Sequence, residues 1–191
     1  MMRRLLIWFT VLAVLFVLCF SVCASEITPI GHYSFESDPD MPQTLIVGKT
    51  LDCGNYSIRL LQQPVLSKYS YHLIADNDLE YLIIRMAITN KSDRPLAWLN
   101  AESFNVIETY KGTLYSTYKL DIPASAAAAE GVHQPLFFEK VDPGDTMYTS
   151  LVFSVYPDVD GWVFRFAPRA YYEEYPAEVI SFLLPVVNRN L

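Results

Sequence analysis

The sequence predicts an all-β domain of about seven to nine short strands, and three observations carry that reading. Glu80 to Asn90 alternates Leu82, Ile84, Met86 and Ile88 with Ile83, Arg85, Ala87 and Thr89, the period of two that turns one side of a strand to a core. The twelve prolines are spread along the chain, so no long amphipathic stretch is free of them. Turn sequences separate the apolar runs, among them Asn90 to Pro95 and Asp142-Pro143-Gly144-Asp145. Short strands punctuated in this way close as a sandwich or a barrel.

The chain opens with residues 1–24, which have the three parts of an export signal. Arg3 and Arg4 give a positive start, Leu5 to Phe20 run without a charge, and Val22-Cys23-Ala24 supplies small residues at a cleavage site. The apolar run falls short of the roughly 20 residues that cross a bilayer. Cleavage is therefore expected after Ala24, with membrane contact only through the signal before that cut. The two alternatives are a retained anchor and lipidation of Cys23; for the latter, Phe20 and Val22 stand where a lipoprotein signal carries Leu and a small residue. Residues 25–43 read as a polar arm broken by Pro29, Gly31, Pro39 and Pro42, and residues 44–191 as one domain.

Within 44–191, Tyr56, Ile58 and Leu60 alternate with Ser57 and Arg59. Phe104 to Glu108 and Thr113 to Tyr118 flank Tyr110-Lys111-Gly112 as a hairpin. Thr146 to Tyr156 and Gly161 to Phe166 read as two more strands, joined by 157–160. Val179 to Val187 reads as a strand whose Pro185 puts it at an edge. Ala124 to Glu130 alone has high helix propensity. It predicts equally a helix of about two turns, marginal by itself, or a small-residue loop across the sheet.

Charge and cysteine content narrow the partners. The signal holds two of the 14 basic residues and none of the 21 acidic ones, so the mature chain has a net charge of −9. With no basic run after Arg4, nucleic acid and anionic membranes are excluded as partners. Cys19 and Cys23 leave with the signal, and Cys53 then has no partner for an internal disulfide. It is expected to be a small buried apolar residue.

The run from Tyr81 through Gly112, then Val141 to Val155 and Gly161 to Phe166, carries a set of ordered features. They are Thr89-Asn90, the polar turn Lys91 to Arg94, Phe104, Lys111-Gly112, Pro143-Gly144-Asp145 and Val152-Phe153. In order and spacing this run resembles the immunoglobulin-like family of secreted bacterial domains of unknown function, grouped with the telokin-like and immunoprotective extracellular antigen folds. The resemblance implies an immunoglobulin-like antiparallel β-sandwich behind a signal peptide or lipid anchor, and it carries no catalytic residues across. An Ala-rich insertion between Tyr118 and Pro135 departs from the family's compact pattern. A second resemblance is to bacterial proteinase-inhibitor domains of β-sandwich type.

The candidate chemistry is sparse. His32, His72 and His133 share no metal-ligand spacing and sit in no motif that pairs them with Cys53. Asp76-Asn77-Asp78 with Glu80, and Asp158 to Gly161, are acidic loops of a kind that binds Ca²⁺. The second has Tyr156 where an EF-hand has its first ligand and Ala167 where it has its closing Glu. Glu173-Glu174 would point to opposite faces of a strand, and Asp38 and Asp40 lie in the arm, so neither makes a glycosidase pair. The Tyr-rich segments hold most of what remains: Tyr69 and Tyr71, and above all Tyr171, Tyr172 and Tyr175, whose hydroxyls are hard to bury and suit an interface. The expectation is a secreted, non-catalytic binding module without metal or cofactor, its partner a protein or a cell-envelope component. The alternatives are a protease inhibitor presenting the 120–135 insertion and an extracytoplasmic hydrolase converging on His72, His133 or Cys53.

Overall fold

The computed structural model describes residues 43–97, 101–110, 113–132, 140–170, 179–185 and 188–190. The expected signal, nearly all of the expected arm, Trp98, Lys111-Gly112, His133 and the segment 171–178 lie outside them. Two largely antiparallel sheets face each other across one core, which is the predicted sandwich.

The first sheet is organised around β6 (Glu80–Asn90), the strand read most clearly from periodicity. Along one side runs β10 (Thr146–Val155), in continuous antiparallel register from Thr146 opposite Thr89 to Val155 opposite Glu80. Along the other side lie β2 (Tyr56–Leu60) and then β3 (Val65–Ser67), end to end. Leu60 pairs with Met86 and Val65 with Ile83, so the 61–64 link inserts two extra residues. An even insertion preserves the side-chain alternation, and Leu60 and Leu66 therefore both face the core. β1 (Thr50–Asp52) adds to β2, and β14 (Asn188–Asn190) adds in parallel to β3. The second sheet orders β13 (Ile180–Leu183), β11 (Gly161–Phe166), β8 (Phe104–Tyr110) and β9 (Thr113–Lys119). Short ribbons β4–β5 (Tyr69–Ser70, Leu73–Ile74) and β7–β12 (Leu96–Ala97, Arg169–Ala170) complete the set.

Among the described residues ten strands form the two main sheets, against the seven to nine expected. The surplus comes from three-residue edge strands, which are too short to show a period. Of the predicted strand 179–187, β13 covers Ile180–Leu183; β14 begins beyond its predicted end and joins the opposite sheet.

Between the sheets, Leu82, Ile84, Met86, Ile88, Leu151 and Phe153 meet Phe104, Val106, Trp162, Phe164 and Phe166. Phe104 stacks on Phe166 at 5.5 Å, and Tyr56 meets the same ring edge-on at 5.7 Å. Fully burying one such side chain contributes about 1.5–3 kcal/mol.

Asn90 ends β6 with every polar group satisfied. Its side-chain amide donates to Arg94 O (2.7 Å) and Val141 O (3.0 Å), and its Oδ1 accepts from the Ser92 amide and hydroxyl. Its backbone N–H donates to Asp145 O, and its carbonyl accepts from Gly144 N. Both predicted turns, 90–95 and 142–145, are anchored on this one buried side chain and its backbone.

Candidate functional site

The Ala-rich insertion, evenly poised between helix and loop in the sequence, is a helix, α1 (Ile122–Gly131). Asp121 caps it: Oδ1 accepts from Ala124 N at 2.9 Å, and Pro123 sits in the first turn, where no amide partner is needed. Ten residues of mostly alanine are marginal in isolation, so the helix depends on what it lies against.

That support is the outer face of the first sheet. Ala124 and Ala128 pack on Val152, Tyr81 and Ala75, with Leu73 and Ile83 alongside. Small side chains let the helix backbone approach the strand edge closely enough to bond it. The Asp121 amide donates to Val152 O (2.8 Å), and Val152 N donates to Ser125 Oγ (3.0 Å). Ser154 Oγ donates to Asp121 Oδ2 (2.6 Å), and Ser70 Oγ donates to Ala124 O (2.7 Å). Asp121 and Ser125 thereby occupy both main-chain groups of Val152 on the β10 edge, which would otherwise be open to another strand. Burial, and then the charges of Asp121 and Asp76, push the Tyr81 phenol beneath the helix up from its ordinary value. Tyr81 is buried beneath the helix as well as the inward set, so β6 is covered on both faces along part of its length rather than on one.

On its far side the helix borders a groove of about 440 Å³ lined by His72, Leu73, Pro123, Ala126, Ala127 and Glu130, with Ala129 at its base. The wall is the β4–β5 turn. Tyr71 there has φ 54°, the left-handed region that bulky side chains rarely adopt. Its ring lies on Gly131, where a Cβ would stand only 3.1 Å from the ring Cδ2. The His72 ring meets it edge-on at 5.2 Å. Tyr69, Tyr71 and Ile74 are each more than half exposed around this rim.

Of the residues singled out in the sequence, the structure brings Tyr69, Tyr71 and His72 together here. Tyr171, Tyr172 and Tyr175 lie outside the described residues, as do Glu173, Glu174, His32, Asp38, Asp40 and His133. Cys53 sits in the β1–β2 turn, half-buried, packed against the inter-sheet core with its thiol toward Leu51 O at 3.7 Å. It and His72 therefore occupy different layers and do not form the pairing that a hydrolase centred on them needs. In the acidic loop 76–80, the carbonyls of Asn77 and Leu79 accept from Lys68 Nζ at 3.0 and 2.6 Å, so an ammonium takes the place offered to a cation. Among the described residues no three His, Cys, Asp or Glu side chains gather as a metal site, and no helix is long and apolar enough to cross a membrane. The described part of the 120–135 insertion is helical with one face buried, unlike the extended exposed loop of an inhibitor. The sequence held a signal for the helix in Asp121 and Pro123, an N-cap followed by proline in the first turn; the closure of the groove by Tyr71 on Gly131 had none.

A second ionisable contact lies in the other sheet. Tyr118 donates to Glu108 Oε2 at 2.5 Å, and Ser116 N donates to Oε1 at 3.3 Å. Burial first, and then the bond to Glu108, push the Tyr118 phenol up to about 12. Burial acts to raise Glu108, but the hydrogen bonds from Tyr118 and Ser116 outweigh it and hold the carboxyl below its ordinary value.

No family model and no curated protein matches the chain. Solved structures similar to the chain include three bacterial proteins. The ycdA protein from Bacillus subtilis is 14% identical with a TM-score of 0.48, covering 70% of this chain; this chain spans only 37% of that one. An uncharacterized β-sandwich protein from Clostridium difficile 630 is 13% identical with a TM-score of 0.43, over 78% of this chain and 97% of that one. The secreted protein MPT63 from Mycobacterium tuberculosis is 11% identical with a TM-score of 0.43, over 75% and 98%. Its own two sheets, packed across one shared core, make the chain a β-sandwich.

Proposed function

We propose that this chain is an exported, non-catalytic binding module that receives an apolar segment of a partner protein in the groove beside α1. The observation that carries the reading is Tyr71. A left-handed backbone at a bulky residue costs on the order of 1–3 kcal/mol and persists where the surroundings hold it for a purpose. Here it sets an exposed ring over Gly131; Tyr71 and Gly131 are each next in the chain to a residue, His72 and Glu130, that lines the apolar groove. Rigid aromatics of this kind make strong interface anchors because little rotamer freedom is lost on binding. Export rests on residues 1–24, whose arrangement is that of a signal peptide.

The test is site-specific photo-crosslinking in the native envelope. A crosslinker at Ala126, in the groove, is expected to capture one discrete partner, whereas one at Thr117 on β9 captures none. Tyr71→Gly suits the backbone and removes the ring, so it should keep the fold and abolish capture. Equal capture from both positions, or capture unaffected by Tyr71→Gly, would sink the proposal.

A further inference from the structure

We propose a second binding site, for a carboxylate-bearing polysaccharide, on the half of the same sheet face that α1 leaves open. The register across four strands composes it. Thr50 stands opposite Arg59, Arg59 opposite Ala87, and Ala87 opposite Tyr148. The next row is Ser57, Thr89 and Thr146, whose two threonine hydroxyls lie 2.8 Å apart. On the side toward the helix, Arg85 faces Ser150, and its guanidinium donates to Gln62 Oε1 at 3.4 Å. Thr50, Ser57, Arg59, Thr89, Thr146 and Tyr148 surround a shallow depression whose floor is Ala87. Arg59 and Tyr148 are two strand spacings apart, roughly 10 Å. The methyl of Ala87 between them leaves space that any larger side chain would fill.

The chemistry selects the occupant. This face carries two guanidiniums on a chain in which acidic residues outnumber basic ones by 21 to 14. The carboxylates at its border are largely engaged with cations of their own: Asp52 with Lys91 at 2.5 Å, and Asp142 with Lys140 at 2.7 Å. Asp145 borders it from the turn before Thr146. Among the described residues neither Arg59 nor Arg85 has a carboxylate partner. A guanidinium offers a planar fork that a carboxylate matches with two hydrogen bonds. Tyr148, nearly half exposed, offers a ring face and a hydroxyl to one side of a sugar ring. The four Ser and Thr hydroxyls both donate and accept, as sugar hydroxyls do. An acidic sugar chain uses all three features, whereas a simple polyanion uses only the arginines.

The site does not depend on the groove beside α1, and the experiment keeps them apart. The exported protein is run by affinity electrophoresis through polygalacturonate, with poly-glutamate as a sugar-free polycarboxylate and dextran as a neutral sugar polymer. Retardation by polygalacturonate alone is expected, weakened about tenfold by Arg59→Gln, the loss of one charge-assisted pair. Tyr148→Ala should weaken it about fivefold, Tyr148→Phe much less, and Ala126→Arg in the groove not at all. Unchanged thermal midpoints certify that the variants are folded. No retardation by polygalacturonate at low salt overturns the proposal. So does equal retardation by poly-glutamate with Tyr148→Ala silent, which would reduce the face to a charge patch.

Discussion

The two halves of the first sheet's outer face are made from the same long strands, β6 and β10, yet one is sealed and the other open. At the sealed half, Tyr81, Ile83 and Val152 lie under α1, and the β10 edge is bonded by Asp121 and Ser125. At the open half, among the described residues, no helix lies on Ala87, Thr89, Thr146 and Tyr148, which line a shallow depression. The difference follows from side chains. Where the outward positions are apolar, water must be excluded, and an alanine helix can lie close enough to do so. Where they are hydroxyls and guanidiniums, leaving them solvated costs nothing, and any cover would have to replace each lost hydrogen bond.

The largest effect is expected from overfilling the sealed half. Ala124 is fully buried against Val152 and Tyr81, so Ala124→Leu should lift the helix and cost about 1–3 kcal/mol in urea unfolding, with no effect on the open half. Ser125→Ala leaves the Val152 amide without its acceptor and should cost about 1–2 kcal/mol by the same measurement, while hydrogen exchange at Val152 accelerates. Asp121→Ala removes the cap and the tie to Ser154 and should cost about 1 kcal/mol. Thr146→Ala or Arg59→Gln in the open half should stay within about 0.5 kcal/mol, because Thr146 is exposed with only a surface bond to Thr89 and Arg59 is only half-buried. A stability loss there as large as at Ala124 would break the comparison.

The Glu108–Tyr118 contact in the other sheet gives an independent standard through pH. The folded state favours the neutral Tyr118 phenol, so that stability is whole below the ordinary value of 10.0 and is lost as pH rises through about 12. The folded state favours the charged Glu108, so its share is present above the ordinary 4.5 and is lost as pH falls below it. Tyr118→Phe should flatten both limbs of a plot of urea midpoint against pH, whereas Ser125→Ala should shift the whole plot without changing its shape.

The long strands were legible in the sequence because their periods span many residues: the reading of Glu80 to Asn90 agrees with β6, and Thr146 to Tyr156 overruns β10 by one residue. The hairpin of β8 and β9 was legible from its flanks, though its turn residues lie outside the described set. The three-residue strands were not, since one alternation is indistinguishable from chance. The alanine run showed its propensity but not its fate, because ten residues become a helix only through Ser125, Ser70 and the strand they bond. Both candidate sites were hidden for the same kind of reason. Ala87 and Arg85 were visible as the other face of β6, but the row Thr50, Arg59, Ala87, Tyr148 exists only once registers across four strands are fixed.

The saturated side chain of Asn90 has a consequence for how the domain holds together. It fastens the loop after β6 to residues 141–145, some fifty positions along the chain, as a covalent staple would. A staple of sulfur depends on an oxidant to form and yields to a thiol. This junction of amide and carbonyl needs neither, so it assembles with the chain and remains closed whatever the redox state of its surroundings.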